Sequence, residues 1–202
     1  NSKIDDVLNF IEKRINSSDQ VYWVCPIIDE SEKLNVKAVN ERLKFLKNKT
    51  SYKMECIHGN LKEQERDKIM INFLEKKLDL IVCTTIVEVG LDNPNVNTIV
   101  IENSERFGLS QLHQLRGRVG RSGNEACCLL VYHKNLSELS KKRLKIIKDN
   151  LNGFLIAEED LKLRGYGDIL GFKQSGLKTF KLADPILNED LFLLAEKEIK
   201  RI

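Results

Sequence analysis

Short apolar runs alternate with amphipathic stretches from about residue 4 to residue 149, and no other feature restricts the fold of this chain so tightly. Val21 to Ile28 (VYWVCPII), Tyr52 to Ile57 (YKMECI), Leu78 to Cys83 (LDLIVC), Thr98 to Ile101 (TIVI) and Ala126 to Tyr132 (ACCLLVY) read as strands. Their positions are mostly apolar in succession, so neither face can be left in water, as in parallel strands covered by helices. Helical patterns lie between them at Leu34 to Leu46, Lys62 to Leu74, Leu109 to Arg121 and Leu136 to Lys148. The second follows Asn60-Leu61-Lys62-Glu63, which reads as an Asn cap with the glutamate of a capping box. This alternation predicts an α/β fold over residues 1–150: a parallel sheet with helices on both faces.

The texture changes after residue 150. Asn152 to Leu163 predicts a short helix, and RGYGDILGFKQSG then places four glycines in thirteen residues. Pro185 to Ile202 carries Leu191, Leu194 and Ile199 at helical spacing and reads as a packing helix. Residues 151–202 are therefore expected to form a smaller hairpin and loop extension.

Several classes are excluded. No apolar run approaches the roughly 20 residues needed to span a bilayer, and NSKIDDVLNFIEKRI is not a secretory leader, so a cytoplasmic protein is expected. The five cysteines (Cys25, Cys56, Cys83, Cys127, Cys128) show no CxxC spacing and read as buried, reduced thiols. A net charge of +3 is too small to argue by itself for a nucleic-acid partner. The absence of an initiator Met, with a helical pattern at the first residues, reads as a piece of a longer protein.

The segment Gln114-Leu-Arg-Gly-Arg-Val-Gly-Arg121 concentrates three arginines and two glycines. Placed on a helix, Leu112, Leu115 and Val119 gather on one side, and Gln114, Arg118 and Arg121 gather on another. Gly117 and Gly120 would flank the polar row and admit a partner closely, while Arg116 falls toward the apolar side as a structural or rim residue. The cations are all arginine, whose planar fork suits bidentate phosphate contacts, and no carboxylate shares their face. They read as reserved for an outside anion.

The stretch Glu105 to Arg121 (ERFGLSQLHQLRGRVGR) resembles motif VI of superfamily 2 helicases, in the version carried by the RecG and Mfd branch. The resemblance implies a RecA-like, P-loop NTPase-type second motor domain. In it Arg118 and Arg121 would be arginine fingers reaching the ATP phosphates, with Gln114 beside the nucleotide. A finger contributes about 10³ to 10⁵ in rate, or roughly 4 to 7 kcal/mol of barrier. Val82 to Pro94 (VCTTIVEVGLDNP) resembles motif V, which implies a nucleic-acid contact for Thr84 and nucleotide-proximal places for Gly90 and Asp92. Gly153 to Gly176 resembles the translocation motif of that branch, with Arg164 and Gln174 in its Arg and Gln positions. CPIIDESEKLNVKAV and FKLADP point to its RecG side.

The chain contains no GxxxxGK[ST] loop and no DExx box. By resemblance, ATP and Mg2+ would be held mainly by a preceding motor domain, and this segment alone would be inactive. The partners implied are branched double-stranded DNA, met at stalled forks and Holliday junctions in repair and recombination, and the first motor and wedge domains of one monomeric polypeptide. The alternatives are the motor of an Mfd-type coupling factor and a nucleic-acid-binding module that hydrolyses nothing. His58-Gly59 reads equally as a turn or as the pair carried by the family, and His113 and His133 lack partners at metal spacing. Lys141, Lys142, Arg143, Lys145 and Lys148 spread around their helix, which reads as solvated surface.

Overall fold

The fold is described from a computed structural model, which describes residues 2–27, 32–84, 93–121, 123 and 125–164. The chain divides into two compact units, residues 1–156 and 157–202. In order come α1 (Ser2–Asn16), β1 (Gln20–Val24), α2 (Glu32–Lys49), β2 (Met54–Ile57), α3 (Glu63–Leu74), β3 (Leu80–Cys83), β4 (Val96–Ile101), α4 (Leu109–Arg116), β5 (Cys127–Leu130), α5 (Glu138–Asp149) and α6 (Gly153–Arg164). A single 3₁₀ turn, Ser104–Arg106, lies between β4 and α4.

The strands form one parallel sheet in the order β2-β3-β1-β4-β5. Val24 stands beside both Cys83 and Ile101, so the carboxyl ends of the three central strands share one edge. Side chains alternate between faces along each strand. Val21, Trp23, Leu80, Val82 and Val100 pack with Leu8 and Ile11 of α1 and Val39 and Leu46 of α2. Tyr22 turns the other way, onto Phe73 of α3 with ring centroids 5.4 Å apart. Central strands are buried throughout, whereas the edge strands β2 and β5 have partly open positions. That leaves Cys56, Cys127 and Cys128 half-buried, short of the full burial expected; Cys25 and Cys83 are buried and all five thiols are free. Burial raises the Cys83 thiol well above its ordinary value and pushes Cys128 up to about 12, because a thiolate is poorly solvated between packed layers.

The amino edge is tied by side chains as well as by strand pairing. The register between β1 and β4 shifts at Gln20/Val21, and the buried Asp19 carboxylate fills the gap. It accepts from the Asn97 backbone N–H at 2.8 Å, the Thr98 hydroxyl at 2.7 Å and Arg14 Nε at 3.0 Å. Gln20 donates to the carbonyls of Phe73 and Leu78 and accepts from Asn93 Nδ2 at 3.1 Å. The buried side chains of Asp19 and Gln20 thereby meet partners, as burial requires.

Two expectations fail here. The capping box at Asn60 does not form: α3 starts at Glu63, and its cap, Lys62, makes no side-chain bond. The helix expected over Leu109 to Arg121 stops at Arg116. The Pro185 to Ile202 helix falls outside the described residues.

Candidate functional site

The arginine segment begins as an orthodox amphipathic helix. Leu109, Leu112 and Leu115 of α4 are buried, and Gln111 Oε1 accepts from the Gly108 N–H at 2.9 Å across the first turn. Gly117 ends the helix as its C-cap. Val119 stays buried although it lies beyond the last turn. Gly120 adopts φ +79°, a left-handed conformation that costs a residue with a Cβ roughly 1–2 kcal/mol.

The sequence reading is therefore corrected. Gln114, Arg118 and Arg121 are not one row on a helical face, because only Gln114 is helical; Arg118 lies in the turn after α4, and Arg121 follows the left-handed glycine. The role given to the glycines also changes. Gly120 supplies a backbone conformation, and a Cβ at Gly117 would meet nothing closer than the Gln114 carbonyl at 3.4 Å, an ordinary contact.

The turn delivers Gly120 to the sheet, where its N–H donates to the Val96 carbonyl at 3.3 Å. Val96 opens β4 and stands beside Gln20. The loop entering it is pinned by Asn93, whose Oδ1 accepts from the Asn95 N–H at 2.9 Å. The end of the 82–94 segment and the end of the arginine segment thus meet at the amino edge of β4. Thr84, by contrast, follows β3 at the opposite, carboxyl edge and is half-buried. The structure brings the arginines to one end of the 82–94 segment and Thr84 to the other.

The three arginines have different surroundings. Arg116 donates through Nη1 to the carbonyls of Ile147 and Asn150, the latter at 2.7 Å, and through Nη2 to His113 Nδ1 at 3.2 Å. It places a cation on the last carbonyls of α5, where the helix dipole is negative, in keeping with the structural role expected of it. Arg118 is half-buried and its side chain makes no hydrogen bond or ion pair with the described residues, while Arg121 is exposed with Nε donating to the Gly117 carbonyl at 3.3 Å. Gln114 is exposed on α4. Gly90, Asp92 and Gln174 lie outside the described residues, and Arg164 is the last residue of α6.

The histidines and lysines sort themselves by contact. His113 Nδ1 accepts from Arg116, and a Cβ added at Gly153, the first residue of α6, would come within 2.9 Å of its Nε2. His58 lies just past β2, and burial lowers its pKa below the ordinary histidine value. His133 is exposed, 4.0 Å from Glu105. The basic run on α5 is not all solvated: Arg143 reaches back to the carbonyls of Phe107 and Glu105, both at 3.1 Å. Among the described residues no group of three or more His, Cys, Asp or Glu side chains could hold a metal ion.

One network escaped the sequence reading. Glu102, at the carboxyl end of β4, accepts from Trp23 Nε1 at 3.0 Å and pairs with Arg42 of α2. The Arg42 guanidinium lies 5.1 Å from the Phe45 ring centroid and 5.9 Å from that of Trp23. The available signal was Trp23 itself, since an indole N–H inside an apolar strand needs a buried acceptor.

The chain is 45% identical over 99% of its length to the ATP-dependent DNA helicase RecG of Thermotoga maritima, and 43% identical over 96% to that of Borreliella burgdorferi. It spans only 26% and 29% of those relatives, about a quarter of their length. A solved structure of RecG bound to a three-way DNA junction superposes with a TM-score of 0.71 at 42% identity, covering 96% of this chain and 24% of that one. The yeast DEAD-box splicing factor Prp28 shares the fold at 16% identity and a TM-score of 0.55, over 89% of this chain and 36% of its own. The model of the helicase conserved C-terminal domain matches residues 2–123. With its RecA-like parallel sheet and its arginine turn seated against β4, the chain belongs to the family of helicase conserved C-terminal domains.

Proposed function

We propose that this chain is the second motor domain of a RecG-type ATP-dependent translocase that remodels branched double-stranded DNA in the bacterial cytoplasm. The carrying observation is the bond from the Gly120 N–H to the Val96 carbonyl, which gathers the ends of two motifs at one edge of the sheet. Arg118 and Arg121 there act as fingers on an ATP molecule bound, with Mg2+, by the preceding motor domain of the same monomeric polypeptide. Gln114, Gly90 and Asp92 border the nucleotide. Thr84 at the opposite edge contacts the nucleic-acid backbone, and Arg164 and Gln174 serve translocation in the extension over 151–202.

The division of labour among the arginines supports this reading. Arg116 is committed to the α5 carbonyls and cannot also reach a phosphate, whereas Arg118 and Arg121 follow the helix on a turn fixed by its glycine. A guanidinium there would stabilise charge developing on the transferred phosphoryl oxygens. The RecG structure holding a three-way junction supports branched DNA as the substrate over the transcription-coupled alternative.

Arg121→Ala in the full-length protein tests the proposal. DNA-stimulated ATP turnover should fall by about 10³ or more while the melting temperature stays within a degree or so of the parent. Unchanged turnover would remove Arg121 from the ATP site. The isolated 202-residue chain should hydrolyse ATP negligibly.

A further inference from the structure

We infer that the corner between α5 and α6 is an apolar anchor on which the preceding motor domain docks; the inference rests on the reading of this chain as the second of two motor domains. Leu151 is 84% exposed and Phe154 90%, with Leu155 beside them at 46%. Among the described residues no other large apolar side chain stands as open as the first two. On a helix at about 100° per residue, Gly153 and Ile156 share one side of α6, and Phe154 and Leu155 turn away from it. Ile156 is buried, so the corner is seated by one side and shows an apolar side to water. Neighbouring apolar side chains left open together mark an interaction surface, unlike the single exposed residues that every protein carries.

The chemistry and the place of the corner select its occupant. Asn150 to Ile156 (NLNGFLI) contains no charged residue. Both asparagines are spent on the local backbone: Asn150 Nδ2 donates to the Ile146 carbonyl at 3.0 Å, and Asn152 Oδ1 accepts from the Phe154 N–H at 2.9 Å. Nucleic acid requires cations for its phosphates, so this surface suits an apolar patch of protein. The corner is also fixed before any partner arrives. Arg116 of α4 donates to the Asn150 carbonyl at 2.7 Å, and the His113 ring lies so close to Gly153 that a Cβ there would come within 2.9 Å of its Nε2. An anchor held in this way has little freedom left to lose on docking. Both ties come from the helix that carries Gln114 and leads into Arg118 and Arg121, the residues that the proposed function turns toward ATP on the preceding motor domain. The corner is therefore continuous with that face, and a domain closing on the arginines meets Leu151 and Phe154 beside them. Contact made only on closure favours the closed, ATP-bound arrangement.

The test uses the full-length protein with a photo-crosslinker at position 154, irradiated in the presence of a non-hydrolysable ATP analogue and a three-way junction. Peptide mapping should place the crosslink on the preceding motor domain. A crosslink to the junction, a crosslink to residues 185–202, or none at all would overturn the inference. Steady-state turnover supplies a second reading. Phe154→Ala removes a contact made only when the domains close, so the KM for ATP should rise about tenfold with kcat nearly kept. Phe154→Leu should recover most of that loss, because apolar area is needed and the ring is not. The rise in KM should be the same at low and high salt, and junction affinity without nucleotide should stay at the parent value, since no charge is removed. Weaker junction binding by Phe154→Ala would assign the corner to DNA and refute the anchor. A parent KM in that variant would refute it too, while a loss of turnover in Arg121→Ala would leave the motor reading intact. Parent kinetics in both variants would overturn both.

Discussion

Two arginines five residues apart in one motif-like stretch are expected to fail in opposite ways. Arg116→Ala removes charged hydrogen bonds to the Ile147 and Asn150 carbonyls and leaves half-buried acceptors without a donor. It should cost about 2 kcal/mol in denaturant unfolding, whereas Arg121→Ala should affect turnover and spare stability. Arg116→Lys should rescue little, since one ammonium cannot span both carbonyls and His113. His58 adds a dependence on pH. Its pKa is lowered by burial, so the unfolded chain binds the proton more readily than the fold does. The stability this protects is present above the ordinary histidine value and is lost as pH falls through the depressed one. Unfolding free energy should therefore decline as pH drops below about 6.5, and His58→Gln should flatten that decline; an identical decline in the variant would assign it to other groups.

At the scale of the element, α4 shows how a sequence period can be right and its length wrong. Leu109, Leu112 and Leu115 carry a helical period that Val119 continues by number, and all four are buried. The backbone has nevertheless left the helix by Gly117, and Gly120 has turned to the left-handed side. Glycine in a helix interior costs only about 1 kcal/mol against alanine, so the glycines alone could not announce the stop. The bond from Gly120 to Val96 decides it, and that contact belongs to the sheet. Gly120→Ala should destabilise the protein by about 1 to 2 kcal/mol and Gly117→Ala by much less. Equal losses would return Gly117 to a conformational role. Gly153→Ala should also destabilise, by about 1 to 3 kcal/mol, because the added methyl meets the His113 ring that Arg116 holds in place. The pairing with His113→Ala, which opens the space, should relieve part of that loss in a double-mutant cycle.

Across the whole molecule, polar ties close the sheet at both edges. Asp19 gathers Arg14, Asn97 and Thr98 at the amino edge, and Glu102 gathers Trp23 and Arg42 at the carboxyl edge. Glu102→Ala leaves the Arg42 guanidinium and the Trp23 N–H without their acceptor, so thermal unfolding should reveal a loss of about 3 kcal/mol. A double replacement of Glu102 and Arg42 by apolar residues of similar volume should cost much less than that.

The strand and helix segments and the parallel sheet were legible because they follow from which residues must leave water, and that information is local and periodic, whereas the strand order β2-β3-β1-β4-β5 is not. The roles proposed for Arg118 and Arg121 rest on resemblance, since three arginines in a row of six residues look alike as letters. Their separation into one helix clamp and two turn residues needed the end of α5 and the start of β4, both distant in the chain. The same holds for Glu102 and Arg42, which are 60 residues apart. Sequence alone determined the layers, because hydrophobic period selects strand or helix within a few residues. Only the tertiary structure decided which polar groups are satisfied inside, because a hydrogen bond is set by what packing brings within about 3 Å.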